Sequence, residues 1–131
     1  MIALDTNVVV RLVTNDDPTQ VKAAKAYLQG ETLFLAKTVL LETEWVLRFS
    51  YGLSRESIAV ILQRLLGLEG TRVEDRTTVL RALSWYGRGL DFADALHAAS
   101  SGDAERFVTF DRPLAREARG LVDRPSIELL T

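Results

Sequence analysis

RFVTFDRPL, residues 106–114, runs from an apolar stretch rich in β-branched and aromatic residues straight into Asp-Arg-Pro. The first part reads as a strand over 106–110. Asp111 then stands where a helix N-cap belongs, with a proline in the first turn. The same grammar opens the chain. MIAL (1–4) is a short apolar strand that ends in Asp5-Thr6-Asn7, a turn or helix start. Two strands that each hand an aspartate to a following helix point to an α/β fold. In open α/β sheets, ligands bind beyond the carboxyl ends of the strands.

The intervening sequence fits that pattern. Asp17 and Pro18 start a helix with Val21, Ala24 and Leu28 at helical spacing, stopped by Gly30. LFLA (33–36) reads as a buried strand. Leu41, Trp45 and Phe49 recur every four residues, so 38–51 is expected as a helix with that stripe inward and Gly52 as its stop. Ser54 caps the next helix, with Ile58, Ile61, Leu62 and Leu65 on one face. TRVE (71–74) is a weak strand. Asp75 opens a helix with Val79, Ala82, Leu83 and Tyr86 inward, and Asp91 opens a shorter one to about Ser101. A helix from Asp111 to about Arg119 and a strand, SIELL (126–130), close the chain. Strands and helices interleave throughout, so the expectation is a mostly parallel sheet. No repeat, low-complexity tract or linker interrupts the sequence, and residues 1–131 are expected to form a single domain.

The 131 residues suffice to bury a proper core. There is no cysteine, which removes disulfides, thiolate metal sites and Cys nucleophiles, and the single histidine removes poly-His sites. No basic leader precedes the first strand and no apolar run approaches the ~20 residues that span a bilayer, so a soluble, cytoplasmic protein is expected. A net charge of −2 is unlike most phosphate binders. An acidic metal site lowers the charge locally, however, and arginines nearby still hold a phosphate backbone.

Four acids stand out from the rest. Asp5 and Asp111 each have an ordinary role as N-caps, and each also sits at a strand's carboxyl end. If their strands are neighbours, the two face each other. Asp91 and Asp94 share a helix face. Asp91 is the better cap, whereas Asp94 is embedded among Phe92, Ala93, Ala95 and Leu96. A carboxylate in such a run is costly unless paired or metal-bound, so Asp94 is the candidate ligand and Asp91 its cap or support. Glu44 and Arg48 read as a solvated i,i+4 pair. Glu42, toward the Trp45–Phe49 side, is less natural in solvent and becomes the fourth candidate. His97, three residues after Asp94, reads more readily as a core-edge histidine than as a phosphate contact. The remaining acids, Asp16 and Glu74 among them, read as caps or surface.

Carboxylates within a few ångströms repel. At ~4 Å a pair costs roughly 4 kcal/mol at an effective dielectric near 20. A divalent cation relieves this, and magnesium suits oxygen ligands combined with water and phosphate. The chemistry expected of such a cluster is metal-dependent phosphodiester hydrolysis. Thr6, Asn7 and Thr109 are expected to tune the site by hydrogen bonds, and Arg11 and Arg112 are candidates for backbone phosphate. Without an obvious aromatic stacking platform, structured RNA is favoured over general single-strand binding. A dehalogenase-type phosphatase needs a second aspartate where Asn7 stands, and a receiver domain needs paired acids at the first strand and a late lysine. Neither pattern is present.

IALDTNVV, LLETEWVL, DFADALHAA and FVTFDRPL, in this order over the whole chain, resemble the PIN-domain family, and within it the VapC-like toxin ribonucleases of type II toxin–antitoxin systems. The resemblance implies a three-layer α/β/α sandwich around a mostly parallel sheet, with Asp5, Glu42, Asp94 and Asp111 as the acidic quartet. It also implies magnesium or manganese, endoribonuclease activity that leaves a 5′-phosphate and a 3′-hydroxyl, a homodimer, and a cognate antitoxin whose tail blocks the site. Asp91 matches an acid often present in such proteins. The alternative is a PIN-like protein- or RNA-binding module with little catalytic activity, against which the intact carboxylates argue.

Overall fold

The computed structural model describes all residues, Met1–Thr131, as seven helices and five short strands paired only in parallel. This is the α/β class expected, consistent with an α/β/α arrangement. The chain divides into two compact units, Met1–Arg76 and Thr77–Thr131.

In the first unit, β1 (Ile2–Ala3), β2 (Leu33–Leu35) and β3 (Thr71–Val73) form a three-stranded sheet in that order. Ile2 is in register with Leu33, and Leu33 with Thr71. Parallel neighbours require crossover connections, and four helices supply them: α1 (Thr6–Thr14), α2 (Pro18–Leu28), α3 (Lys37–Phe49) and α4 (Arg55–Leu66). Asp17 caps α2 through the amide of Gln20, and Pro18 occupies its first turn. Beyond that helix the chain turns through Gly30 at φ 78°, a left-handed conformation in which glycine carries no Cβ penalty. Ser54 caps α4 through the amide of Ser57, as its sequence promises.

Helix α3 differs from expectation in its rotational phase. Its buried residues are Leu40, Thr43, Glu44 and Leu47, while Trp45 and Phe49 are exposed at 54% and 60%. Both Leu41–Trp45–Phe49 and Leu40–Thr43–Leu47 are helical stripes. Packing of α3 on α1 and α4 selects the second. As a result Glu44 is buried rather than solvated. Arg48 Nε lies 2.9 Å from its Oε2, an ionic contact, and Nη2 donates to Oε1 at 3.2 Å. The start of α3 has no side-chain cap of its own; Glu74, just past β3, accepts from the Lys37 amide at 2.8 Å instead.

In the second unit, β4 (Arg106–Thr109) pairs with β5 (Ser126–Leu129), with α7 (Arg112–Ala118) crossing between them and packing on both. Helix α5 (Arg76–Gly87) begins at the division and buries Val79, Ala82, Leu83 and Tyr86, the stripe read from the sequence, together with Trp85. Helix α6 (Phe92–Ser100) buries Phe92, Ala95, Leu96, Ala98 and Ala99, and the Phe92 ring meets Tyr86 edge-on at 5.2 Å. The hydrogen-bonded ladders thus form a three-stranded and a two-stranded sheet: β1 pairs with β2, and β4 with β5.

Candidate active site

Asp5 follows β1 and is the N-cap of α1, with its Oδ1 accepting from the Thr6 amide at 2.8 Å. The structure places it with Glu42, 37 positions later in sequence, on the wall of one cavity of about 400 Å³. Both carboxylates are exposed to solvent. Glu42 is therefore well placed for chemistry, but for a reason other than the one the sequence offered. It lies on the outward face of α3, and so do Trp45 and Phe49.

Thr6, Asn7, Arg11, Val46 and Tyr51 also line that cavity. Thr6 is buried, and its hydroxyl makes no hydrogen bond within the chain. Arg11 is held by three partners. Its Nε donates to Gln20 Oε1 at 2.9 Å, and its Nη1 to Asp16 at 3.0 Å and to the Tyr51 hydroxyl at 3.1 Å. Tyr51 donates in turn to Asp16 at 2.5 Å. The Tyr51 hydrogen bond is the main cause holding the Asp16 carboxyl below its usual range; desolvation opposes it, and Thr14 and Arg11 add to the lowering. Asp16 and Tyr51 do not stand out in the sequence. The available signal was surplus: Asp16-Asp17 supplies two acids where the helix needs one cap.

In the second unit, Asp91 caps α6 by accepting from the Asp94 amide at 3.2 Å, and Asp111 caps α7 by accepting from the Leu114 amide at 3.0 Å. Thr109 Oγ1 accepts from the Asp111 amide at 3.0 Å and fixes the turn out of β4. Asp94 is half-buried. Burial raises its carboxyl above the ordinary value, the negative charges of Asp91 and Asp111 raise it further, and His97 opposes them. His97 itself is exposed, not packed at a core edge. Arg112, at the start of α7, is exposed too.

Sequence reasoning gathers all four carboxylates into one cluster. The structure puts Asp5 and Glu42 on one cavity, and Asp94 in the field of Asp91 and Asp111. No three acidic or imidazole side chains are grouped as ligands to one ion. The donor chemistry is nonetheless that of a hard cation: carboxylate oxygens with a hydroxyl and an amide beside them, and no sulfur. Magnesium takes only one or two protein carboxylates and completes its shell with water and phosphate, so paired carboxylates fit it.

The PIN domain model matches residues 2–120. The chain belongs to the PIN-domain family. PIN domains are in general nucleases, hydrolases that typically use divalent metal ions, and in this PIN domain the match takes in all four candidate carboxylates. No curated protein matches the chain. No helix of this PIN domain is long and apolar enough to cross a membrane.

Proposed function

We propose that this PIN domain is a magnesium- or manganese-dependent endoribonuclease with Asp5, Glu42, Asp94 and Asp111 as the carboxylates of its metal-dependent site. In this reading it is the toxin of a toxin–antitoxin pair, a cytoplasmic homodimer restrained by a cognate antitoxin protein. The observation that carries the metal-dependent reading is Asp94: a half-buried carboxyl among acidic neighbours, its proton affinity raised by burial and by their charge. Groups perturbed by burial together with named charged neighbours concentrate at functional sites, and a divalent ion is what relieves such a neighbourhood. The choice of RNA and the toxin role are supported by the four motifs that resemble VapC-like ribonucleases.

Asp5, Asp94 and Asp111 hold the ion in this reading, and Glu42 orients the attacking water and takes its proton. A bound divalent ion supplies polarisation of the phosphoryl oxygen and a lowered pKa for water. The new P–O bond forms as the P–O3′ bond breaks, and the 3′-oxygen leaves with a proton, giving a 5′-phosphate and a 3′-hydroxyl. Thr6 contributes its unspent hydroxyl and Asn7 its amide beside Asp5. Thr109 holds the turn that presents Asp111.

The test is incubation of the purified chain with a pool of structured cellular RNAs, with magnesium or manganese against EDTA and with Asp5→Ala as control. Cleavage that needs metal and vanishes in the variant is the expected result. Cleavage retained by Asp5→Ala overturns the site. A magnesium-induced thermal shift with no cleavage of any RNA replaces the enzyme by a binding module. The toxin role is tested by inducing the chain in a bacterial host: growth arrest is expected from the wild type and not from Asp5→Ala.

A further inference from the structure

We propose that Arg11 is the phosphate clamp of a subsite next to the carboxylates, and that it seats the RNA backbone one position from the scissile bond. This rests on the ribonuclease reading above and adds a substrate-positioning residue to it. Arg11 and Asn7 line two cavities. One is the cavity that holds Asp5 and Glu42, and the other, about 310 Å³, is walled by Val8, Gln20 and Ala24. A strand whose phosphate lies at the first cavity therefore meets the Arg11 guanidinium as it enters the second.

The guanidinium is fixed before any ligand arrives. Gln20 takes Nε, while Asp16 and Tyr51 take Nη1. Nη2 makes none of these bonds, so its two N–H donors are left for an anion. The side chain is 38% exposed, open to a ligand yet held on one side. Asp16 offsets part of the positive charge, so the clamp is directional more than it is a strong point charge. That suits the fork geometry by which arginine reads phosphate. The holding residues come from the loop after α1, from α2 and from the turn after α3, so three separate stretches of sequence are tied to aim one side chain.

The experiment is fluorescence anisotropy with a labelled RNA hairpin carrying a mixed-sequence single-stranded loop, in EDTA, where no metal-dependent cleavage occurs, over a series of salt concentrations. Arg11→Ala and Arg11→Lys are compared with wild type, and Arg81→Ala serves as the charge control. Each phosphate contact on single-stranded nucleic acid contributes roughly 0.7 to the slope of log K against log salt. Arg11→Ala is expected to lose about that much slope and to bind several-fold more weakly, Arg11→Lys to recover most of the slope, and Arg81→Ala to match wild type. Weaker binding with an unchanged slope would mean a purely structural Arg11 and overturns the clamp. A slope lost equally in Arg81→Ala overturns it as well. If Arg11→Ala does not fold, Arg11→Gln, which keeps the stem and a donor for Asp16, carries the comparison. Wild type that binds no RNA at any salt overturns the ribonuclease reading itself and takes the clamp with it, an outcome distinct from binding that ignores Arg11.

Discussion

Asp94 shows how far a single residue is readable. Its place in an apolar run marked it as costly in the sequence, and in the structure burial and two acidic neighbours raise its carboxyl. The sign of the consequence follows from linkage. The folded state holds this proton more tightly than the unfolded chain does, so stability falls as pH rises from the unfolded value through the raised one, and stays lower above it. In EDTA at pH 7, Asp94→Asn is therefore expected to be more stable than wild type by urea midpoint. That gain should vanish below the ordinary carboxyl value of 3.8, where wild type is protonated in both states. A gain that persists in acid would trace to something other than charge. The same variant should reduce metal-dependent RNA cleavage to the level seen in EDTA. Arg11 marks the limit of such reading: its partner Tyr51 is 40 positions away, and nothing local connects them.

At the scale of an element, the start of α6 carries a dissectable role. Asp91→Ala removes its cap and is expected to cost about 1 kcal/mol, whereas Asp91→Asn keeps an acceptor and should cost only a few tenths. Thermal melts of the two distinguish capping from charge. Helix α3 carries the more instructive lesson. Its existence and approximate extent were legible from spacing and the following glycine, 38–51 against the observed Lys37–Phe49, but its phase was not, because two stripes compete and only the neighbouring helices decide between them. The buried Glu44–Arg48 pair is the result. Arg48→Met strands a carboxylate only 2% exposed and is expected to destabilise the fold by about 2 kcal/mol. This is below the usual cost of breaking a buried pair because Arg48 is itself one-third exposed. Denaturant midpoints at fixed m-value check it.

Across the whole molecule, the five strands and their parallel sense were legible because short stretches rich in apolar or β-branched residues, weakest at Thr71–Val73, alternate with helical patterns and are bounded by turn and cap residues. The division of the ladders between two sheets was not, since strands of two to four residues leave no mark of their partners. Within each unit the acids do assemble as elements bring distant positions together: Asp5 and Glu42 share a cavity wall, and Asp94 feels Asp91 and Asp111. Metal binding acts on the whole fold by mass action, adding about 2.7 kcal/mol of stability at a hundredfold excess over Kd. Magnesium is expected to raise the Tm of wild type more than that of Asp5→Ala; equal shifts would place the ion elsewhere.

The two tryptophans fall one in each unit, Trp45 at 54% exposure and Trp85 at 4%. The chain thus carries its own pair of optical reporters. Iodide should strip the red-shifted emission of Trp45 and leave the blue emission of Trp85. With Trp45→Phe the remaining fluorescence follows the second unit alone, and any occupant of the outer face of α3 announces itself by shielding the first.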